Sequence, residues 1–222
     1  MKINNVYYII LLFITIIPIM AFAEEKSSVS NYTSPSSSSS NITNVDFATN
    51  IEFIKGNLST AISNKQAGNN ELTQTHTFHP ITEIYTLIRD QLSSADSELN
   101  KTLIDSLKNL TSIVIKSKPA ELADSAASVD SLLNKAIIIV LPENEIADIK
   151  FNMSSLINLL KTAESEYYIG IANGTITNIS EYQDAKGFVS SANELLNKTT
   201  NSLNQTLTSN LSKMKDSLQE LH

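Results

Sequence analysis

From residue 46 onward, apolar side chains recur every three or four positions and almost nowhere every second, which confines this chain to helices. Phe47, Ile51, Ile54, Leu58 and Ile62 mark one face of a helix over roughly 46–66, and Ala67-Gly68-Asn69-Asn70 ends it. A loop carrying His76 and His79 is expected next. Pro80 then suits a first helical turn, where its missing N–H costs nothing, with Ile81, Ile84, Ile88 and Leu92 as the stripe. Asp96 is placed to cap a third helix with Leu99, Leu103, Leu107, Leu110 and Val114 inward. Ser117-Lys118-Pro119 punctuates, and Leu122, Ala126, Val129, Leu133, Ala136 and Val140 line a fourth.

Pro142 stops that helix and starts a fifth, with Ile146, Ile149, Met153, Leu156, Leu160, Tyr167 and Ile171 inward and Gly174 closing it. Ser180 with Gln183 three residues on gives a capping-box pattern for the last helix. That helix reads as about 40 residues long, its second half spaced as a heptad seam through Leu203, Leu207, Leu211, Met214, Leu218 and Leu221. The one β-branched run, Ala136–Leu141, fits a helical stripe better than a strand. With only five glycines in the chain, the expectation is an all-α bundle of about six helices with a long C-terminal helix.

Ahead of this domain, Lys2 precedes an apolar run from Val6 to Phe22 without a charge. Pro18 interrupts it, and Ala21-Phe22-Ala23 offers small residues for cleavage before Glu24-Glu25-Lys26. This is the layout of a secretory signal peptide over residues 1–23; the alternative is an uncleaved anchor. No Cys follows, so a lipid anchor on cysteine is excluded. Residues 24–45, with the Ser/Thr/Asn tract from Ser27 to Asn44, read as a disordered linker, and 46–222 as the bundle. The mature chain is expected outside the cytoplasm, secreted or held at the cell surface.

Residues 24–222 carry 15 basic and 23 acidic side chains, a net charge of −8. Without a basic cluster, nucleic acid is not an expected partner. Without Cys, disulfides, thiolate metal sites and cysteine nucleophiles are excluded, and packing alone must stabilise an exported chain. Eleven Asn-x-Ser/Thr sites occur, at Asn31, Asn41, Asn57, Asn100, Asn109, Asn152, Asn173, Asn178, Asn197, Asn204 and Asn210. With 23 Asn and 49 Ser/Thr in 222 residues, chance placement gives about 5, so a surface glycoprotein of an archaeon or a eukaryote is expected.

Signatures of catalysis are missing: no phosphate-binding glycine loop, no nucleophile elbow and no HExxH. The chemistry-bearing cluster is His76-x-x-His79-Pro80-x-x-Glu83, where His79 and Glu83 bracket a helix start and can approach one point. Imidazole with carboxylate suits iron, zinc or copper, and the alternative is a loop histidine beside a solvent-facing acid. Two further acids fall where stripes should be apolar: Glu164, four after Leu160, and Glu181, four before Ala185, with Asp184 beside it. A buried carboxylate needs a partner, either a hydroxyl such as those of Tyr167, Tyr168 and Tyr182, or a metal. Inward carboxylates and a histidine from different helices are how bundles build iron sites.

The stretch from Glu166 to Phe188, EYYIGIANGTITNISEYQDAKGF, resembles a segment of the extracytoplasmic N-terminal helical domain of iron-permease family proteins. The matching positions are Tyr167 or Tyr168, Gly174, Glu181, Tyr182, Asp184 and Phe188, about 25 residues in all, with a looser fit around His79–Glu83. Asp184 stands where the family pattern more often has Glu. The transmembrane helices and the Arg-Glu-x-x-Glu motif of the permease are not in this sequence, so the resemblance is to the accessory domain alone. It implies a domain that binds or presents iron, or docks to a membrane partner. The expectation is therefore a non-enzymatic, secreted or surface-held binding protein, with His79, Glu83, Glu164, Glu181 and Asp184 as ligands for iron, or for copper or zinc. The competing expectation is a structural protein of the cell envelope that pairs, with itself or a partner protein, through its C-terminal helix and holds no metal.

Overall fold

The computed structural model describes residues 42–201 and 208–219. The proposed signal peptide and nearly all of the Ser-rich tract lie outside them. Among the described residues, no helix is long and apolar enough to cross a membrane.

The first helix, α1 (Asn44–Gln66), opens on a reciprocal cap: Asp46 N–H donates to Thr43 Oγ1 at 3.1 Å, and Thr43 N–H to the Asp46 carboxylate at 3.3 Å. Its predicted stripe is buried at Phe47, Ile51, Ile54 and Leu58, but so are Thr49, Glu52, Lys55 and Asn57. α1 is the central helix of the fold, packed on several sides, so most of its polar atoms are satisfied internally, while Glu52 Oε2 and Asn57 Oδ1 have no partner among the described residues. Lys55 Nζ donates to Glu52 and to Asn134, each at 2.9 Å, and Thr49 pairs with Ser155 at 3.0 Å.

Asn69 caps α2 (Asn70–His79), which replaces the loop expected around His76 and His79. Pro80 does not begin a new helix there. It lacks the N–H for an i→i−4 bond and its ring crowds the preceding turn, and the chain absorbs this by widening into a π turn over Pro80–Ile84. Tyr85 N–H closes that turn on Pro80 C=O, and the path continues as α3 (Tyr85–Ala95). Asp96 caps α4 (Ser97–Ile113) as expected, accepting from Leu99 N–H at 2.8 Å. The predicted stripes of α4 and of α5 (Pro119–Val140) are buried, apart from a half-buried Val140.

The expected fifth helix is two elements. A short turn, α6 (Glu143–Ile146), ends on Ala147, and the carboxylate of the following Asp148 caps α7 (Ile149–Gly170). Gly174 does not terminate that helix. It shares with Asn173 the tip of a two-residue hairpin joining β1 (Ile171–Ala172) to β2 (Thr175–Ile176), with φ of +52° and +74° as such a turn requires. α8 (Ile179–Asn201) then begins on Asn178, which accepts from Ser180 N–H at 3.2 Å; the cap is Asn178, and the Ser180 hydroxyl is buried without a partner among the described residues.

Helix α9 (Thr208–Gln219) is the last element. Its Leu211 lies in one apolar cluster with Leu156, Leu159, Ala192 and Leu196. A straight continuation of α8 would carry Leu211 about 22 Å past Leu196, so α9 folds back on its own chain rather than extending a single 40-residue helix. A larger cluster joins α1 to α5, and Phe53 packs against both clusters, 4.6 Å from the ring of Phe188.

The crossing that sets the candidate site is α1 against α8. A Cβ on Gly187 would lie 2.7 Å from Gly56 O and 2.5 Å from Thr60 Oγ1, so the backbones touch where no side chain fits. At the end of α7, a Cβ on Gly170 would likewise lie 2.7 Å from Tyr182 N. Glycines at these points let α7 and α8 close tightly beside α1.

Candidate metal centre

Close crossing of α1 and α8 brings Asn64 against Gln183, the two side-chain amides pairing at 2.8 and 3.1 Å. Gln183 Oε1 also meets His76 Nε2 at 2.8 Å, and His76 Nδ1 meets Asp184 Oδ1 at 2.9 Å. Both nitrogens of this fully buried imidazole are therefore occupied. The other oxygen of Asp184 meets His79 Nδ1 at 3.0 Å. One buried carboxylate thus holds two imidazoles, three residues apart on α2. His76, His79 and Asp184 form a tight cluster of metal-ligating groups among the described residues, their ligand atoms all within 4.8 Å.

The π turn places Glu83 on the far side of His79, with Oε1 3.8 Å from Nε2. Glu166, from the last turn of α7, hydrogen-bonds Glu181 in the first turn of α8. Glu83 and Glu181 each act electrostatically on both His79 and Glu166. Four carboxylates and two imidazoles thus converge from α2, the π turn, α7 and α8.

Their protonation follows from that crowding. Burial, then the hydrogen bond and charge of Glu181, then the charges of Asp184 and Glu83, push the Glu166 carboxyl up to about 7. The hydrogen bond to Asp184 raises His79, against an opposing effect of burial, and the charges of Asp184, Glu83 and Glu181 add to it. Burial works to raise Asp184, but hydrogen bonds from His76 and His79 outweigh it and hold the carboxyl below its ordinary range. A cluster with this balance is short of positive charge.

Metal-free protein should show the strain as a pH effect. A carboxyl with a raised pKa favours the fold fully below its unfolded value, near 4.5, and that benefit is lost as pH rises through about 7. His79 acts with the same sign above 6.5, whereas Asp184 costs stability only as pH falls through the carboxylate range. Urea unfolding at pH 5 and pH 8 should differ by about 1 kcal/mol on account of Glu166, a modest figure because the group is half-buried and water screens it. Glu166→Gln should flatten the difference, and an unchanged slope in that variant would refute the assignment.

The sequence-level candidates divide. His79, Glu83, Glu181 and Asp184 come together. Glu164 does not join the groups that act on His79 or Glu166. The buried line of α7 runs through Leu156, Leu159, Ala163 and Gly170, one position off the expected stripe, and Glu166 falls on it, three after Ala163 and four before Gly170. Glu164 lies about 200° round the helix from Glu166. Glu166 and Gln183 are the residues of this cluster that the spacing argument did not select, and His76, named there beside His79, was not among the expected ligands.

Residues 142–222, just over a third of the chain, match the family model of the iron permease-associated 4-helix bundle domain. The Glu166–Phe188 stretch that carries the resemblance lies inside the match. Glu166, Glu181 and Asp184 fall within it, while His76, His79 and Glu83 come from the sequence before it. No curated protein and no solved structure matches the chain.

Proposed function

We propose that this protein is a non-enzymatic iron-binding helical domain that works outside the cytoplasm beside a membrane iron-transport partner. The match over residues 142–222 supports a transport setting. The observation that carries metal binding is the face of His79 opposite Asp184. There, a histidine lone pair and the carboxylates of Glu83, Glu166 and Glu181 converge without a Lys or Arg partner among the described residues.

The donor set fits a metal ion better on that face than within the histidine–aspartate cluster. Ligands about 2.1 Å from one ion stand roughly 3.0 Å apart at right angles and 3.4 Å apart in a tetrahedron, so the 3.8 Å between His79 Nε2 and Glu83 admits an ion once the exposed Glu83 side chain moves slightly inward. Around Asp184, by contrast, both nitrogens of His76 are already engaged, by Asp184 and Gln183, and the 2.9 and 3.0 Å contacts serve as hydrogen bonds. Asp184 then orients His79 through Nδ1–H, as carboxylates commonly do behind a ligating histidine, and His76 with Gln183 fixes Asp184. Iron, accepting both imidazole and carboxylate, is the cargo this donor set suits, and copper or zinc compete for it. An ion here supplies the missing positive charge and draws Glu166 to its ionised form.

Docking through the C-terminal helix as a coiled coil has less support, because Leu211, a residue of the proposed seam, is buried in its own chain. The test is the metal content of the purified protein after equilibration with iron, copper and zinc. Near-stoichiometric metal is expected, with affinity about tenfold weaker in Glu181→Gln and unchanged in Glu164→Gln. A folded parent that retains no metal would sink the proposal, and equal losses in both variants would move the site elsewhere.

A further inference from the structure

We infer that the folded chain presents one of its described Asn-x-Ser/Thr sites, Asn173-Gly174-Thr175, as the acceptor of an N-linked oligosaccharide. Such sugars mark the surface loops of exported proteins, so this rests on the extracytoplasmic setting proposed above.

In that modification the asparagine side-chain nitrogen bonds to C1 of a sugar carried on a lipid phosphate. The bond from C1 to the phosphate oxygen breaks, the lipid phosphate leaves, and an amide proton passes to the transferase. The need for Ser or Thr two residues on means that its hydroxyl is read together with the amide. Both groups must therefore be free and reachable at once.

Seven acceptor sites have their side chains among the described residues, and six do not meet that condition. Asn57, Asn100, Asn109, Asn152 and Asn197 stand inside helices, where side chains two positions apart point about 200° round the axis from each other. The hydroxyls that follow four of them, on Thr102, Thr111, Ser154 and Thr199, each donate to a backbone carbonyl of their own helix. At Asn57 the amide is spent instead, donating to Phe53 O from a residue 1 % exposed. Asn178 precedes a helix, but its oxygen caps α8 and the Ser180 hydroxyl is buried.

Asn173 differs on every count. It shares the tip of the β1–β2 hairpin with Gly174, where an added Cβ would meet nothing within 4 Å, so the tip stands clear of the rest of the described chain. Asn173 and Thr175 are both exposed, and neither side chain makes a hydrogen bond among the described residues. Presenting them leaves every helix intact.

The experiment folds the full chain made in a host without N-linked sugars and adds a single-subunit oligosaccharyltransferase with lipid-linked oligosaccharide. Supplying the transferase keeps the result independent of where the chain works and of the metal centre. Peptide mass spectrometry should find sugar at Asn173 at least about tenfold above each of the other six sites, which must first open locally. The same chain cut into peptides beforehand should accept sugar at Asn100 and Asn109 as well. Thr175→Ser should keep the modification at Asn173, and Thr175→Ala should abolish it. A folded chain bare at Asn173 or modified as readily at Asn109 overturns the assignment, and so does one pattern shared by the folded chain and its peptides.

Discussion

His79→Ala is expected to weaken iron binding by at least about 100-fold, and Asp184→Asn by about 10- to 100-fold, with the fold retained in both. The two changes differ in what they remove. His79 offers the Nε2 lone pair opposite Glu83, so its loss deletes a ligand outright. Asp184 touches the proposed ion only through His79: it accepts from Nδ1 at 3.0 Å, fixing the ring's direction and raising its basicity. Asparagine keeps one oxygen for that bond but cannot be a carboxylate to two imidazoles at once. Isothermal titration with ferrous iron, or competition against a chelator of known affinity, separates the cases. A loss in Asp184→Asn equal to that in His79→Ala would place Asp184 among the ligands, and the ion in the histidine–aspartate cluster instead. A negligible loss in His79→Ala would remove the Nε2 face from consideration.

Gly187→Ala should destabilise the fold by about 3 kcal/mol, the upper end of what overpacking usually costs. The added methyl meets Gly56 O at 2.7 Å and Thr60 Oγ1 at 2.5 Å. Thr60 is a flexible neighbour, but Gly56 O is backbone of the central helix and moves only if α1 and α8 separate. Separation would also pull Gln183 from Asn64 and loosen the support of His76. The variant should therefore lose both stability, read by urea unfolding, and metal affinity. By contrast Gly68, with open space around it and φ of +78°, is tight for no neighbour, and alanine there meets only backbone strain. If Gly187→Ala unfolds at the same urea concentration as the parent, the crossing is more pliable than its contacts imply.

Much of the fold is legible in the residues. Spacing of three and four places α1, α4 and α5, because the buried face of a helix on a single core repeats every 3.6 residues. The caps Asp96 and Asn69 belong to the same local chemistry, although Asn69, following Gly68, reads equally well as the end of one helix and as the start of the next. Reading fails where the local rule has two answers. Pro80 starts helices well, and it can also sit inside one if the turn widens; here the packing of α2 against α1 decides for the second. In α7 an apolar stripe one position off looks equally good, since Leu159 and Leu160 are adjacent leucines, and that slip exchanges Glu166 for Glu164. A count of acceptor asparagines is similarly local: Asn57 is 1 % exposed within α1, while Asn173 stands at an open hairpin tip.

By itself the sequence determined the helical class, the ends of α1, α4 and α5 and the residue types able to hold a metal, because these depend on spacing, capping and side-chain chemistry within a few residues. Only the tertiary structure decided that His76 and His79 share Asp184, that Glu166 faces Glu181, and that Glu52 lies buried with an oxygen to spare. Those pairings span about 100 residues of chain or join separate helices. They are set by how closely α1, α7 and α8 approach, a distance fixed by Gly56, Gly170 and Gly187, which carry no side chain to announce it.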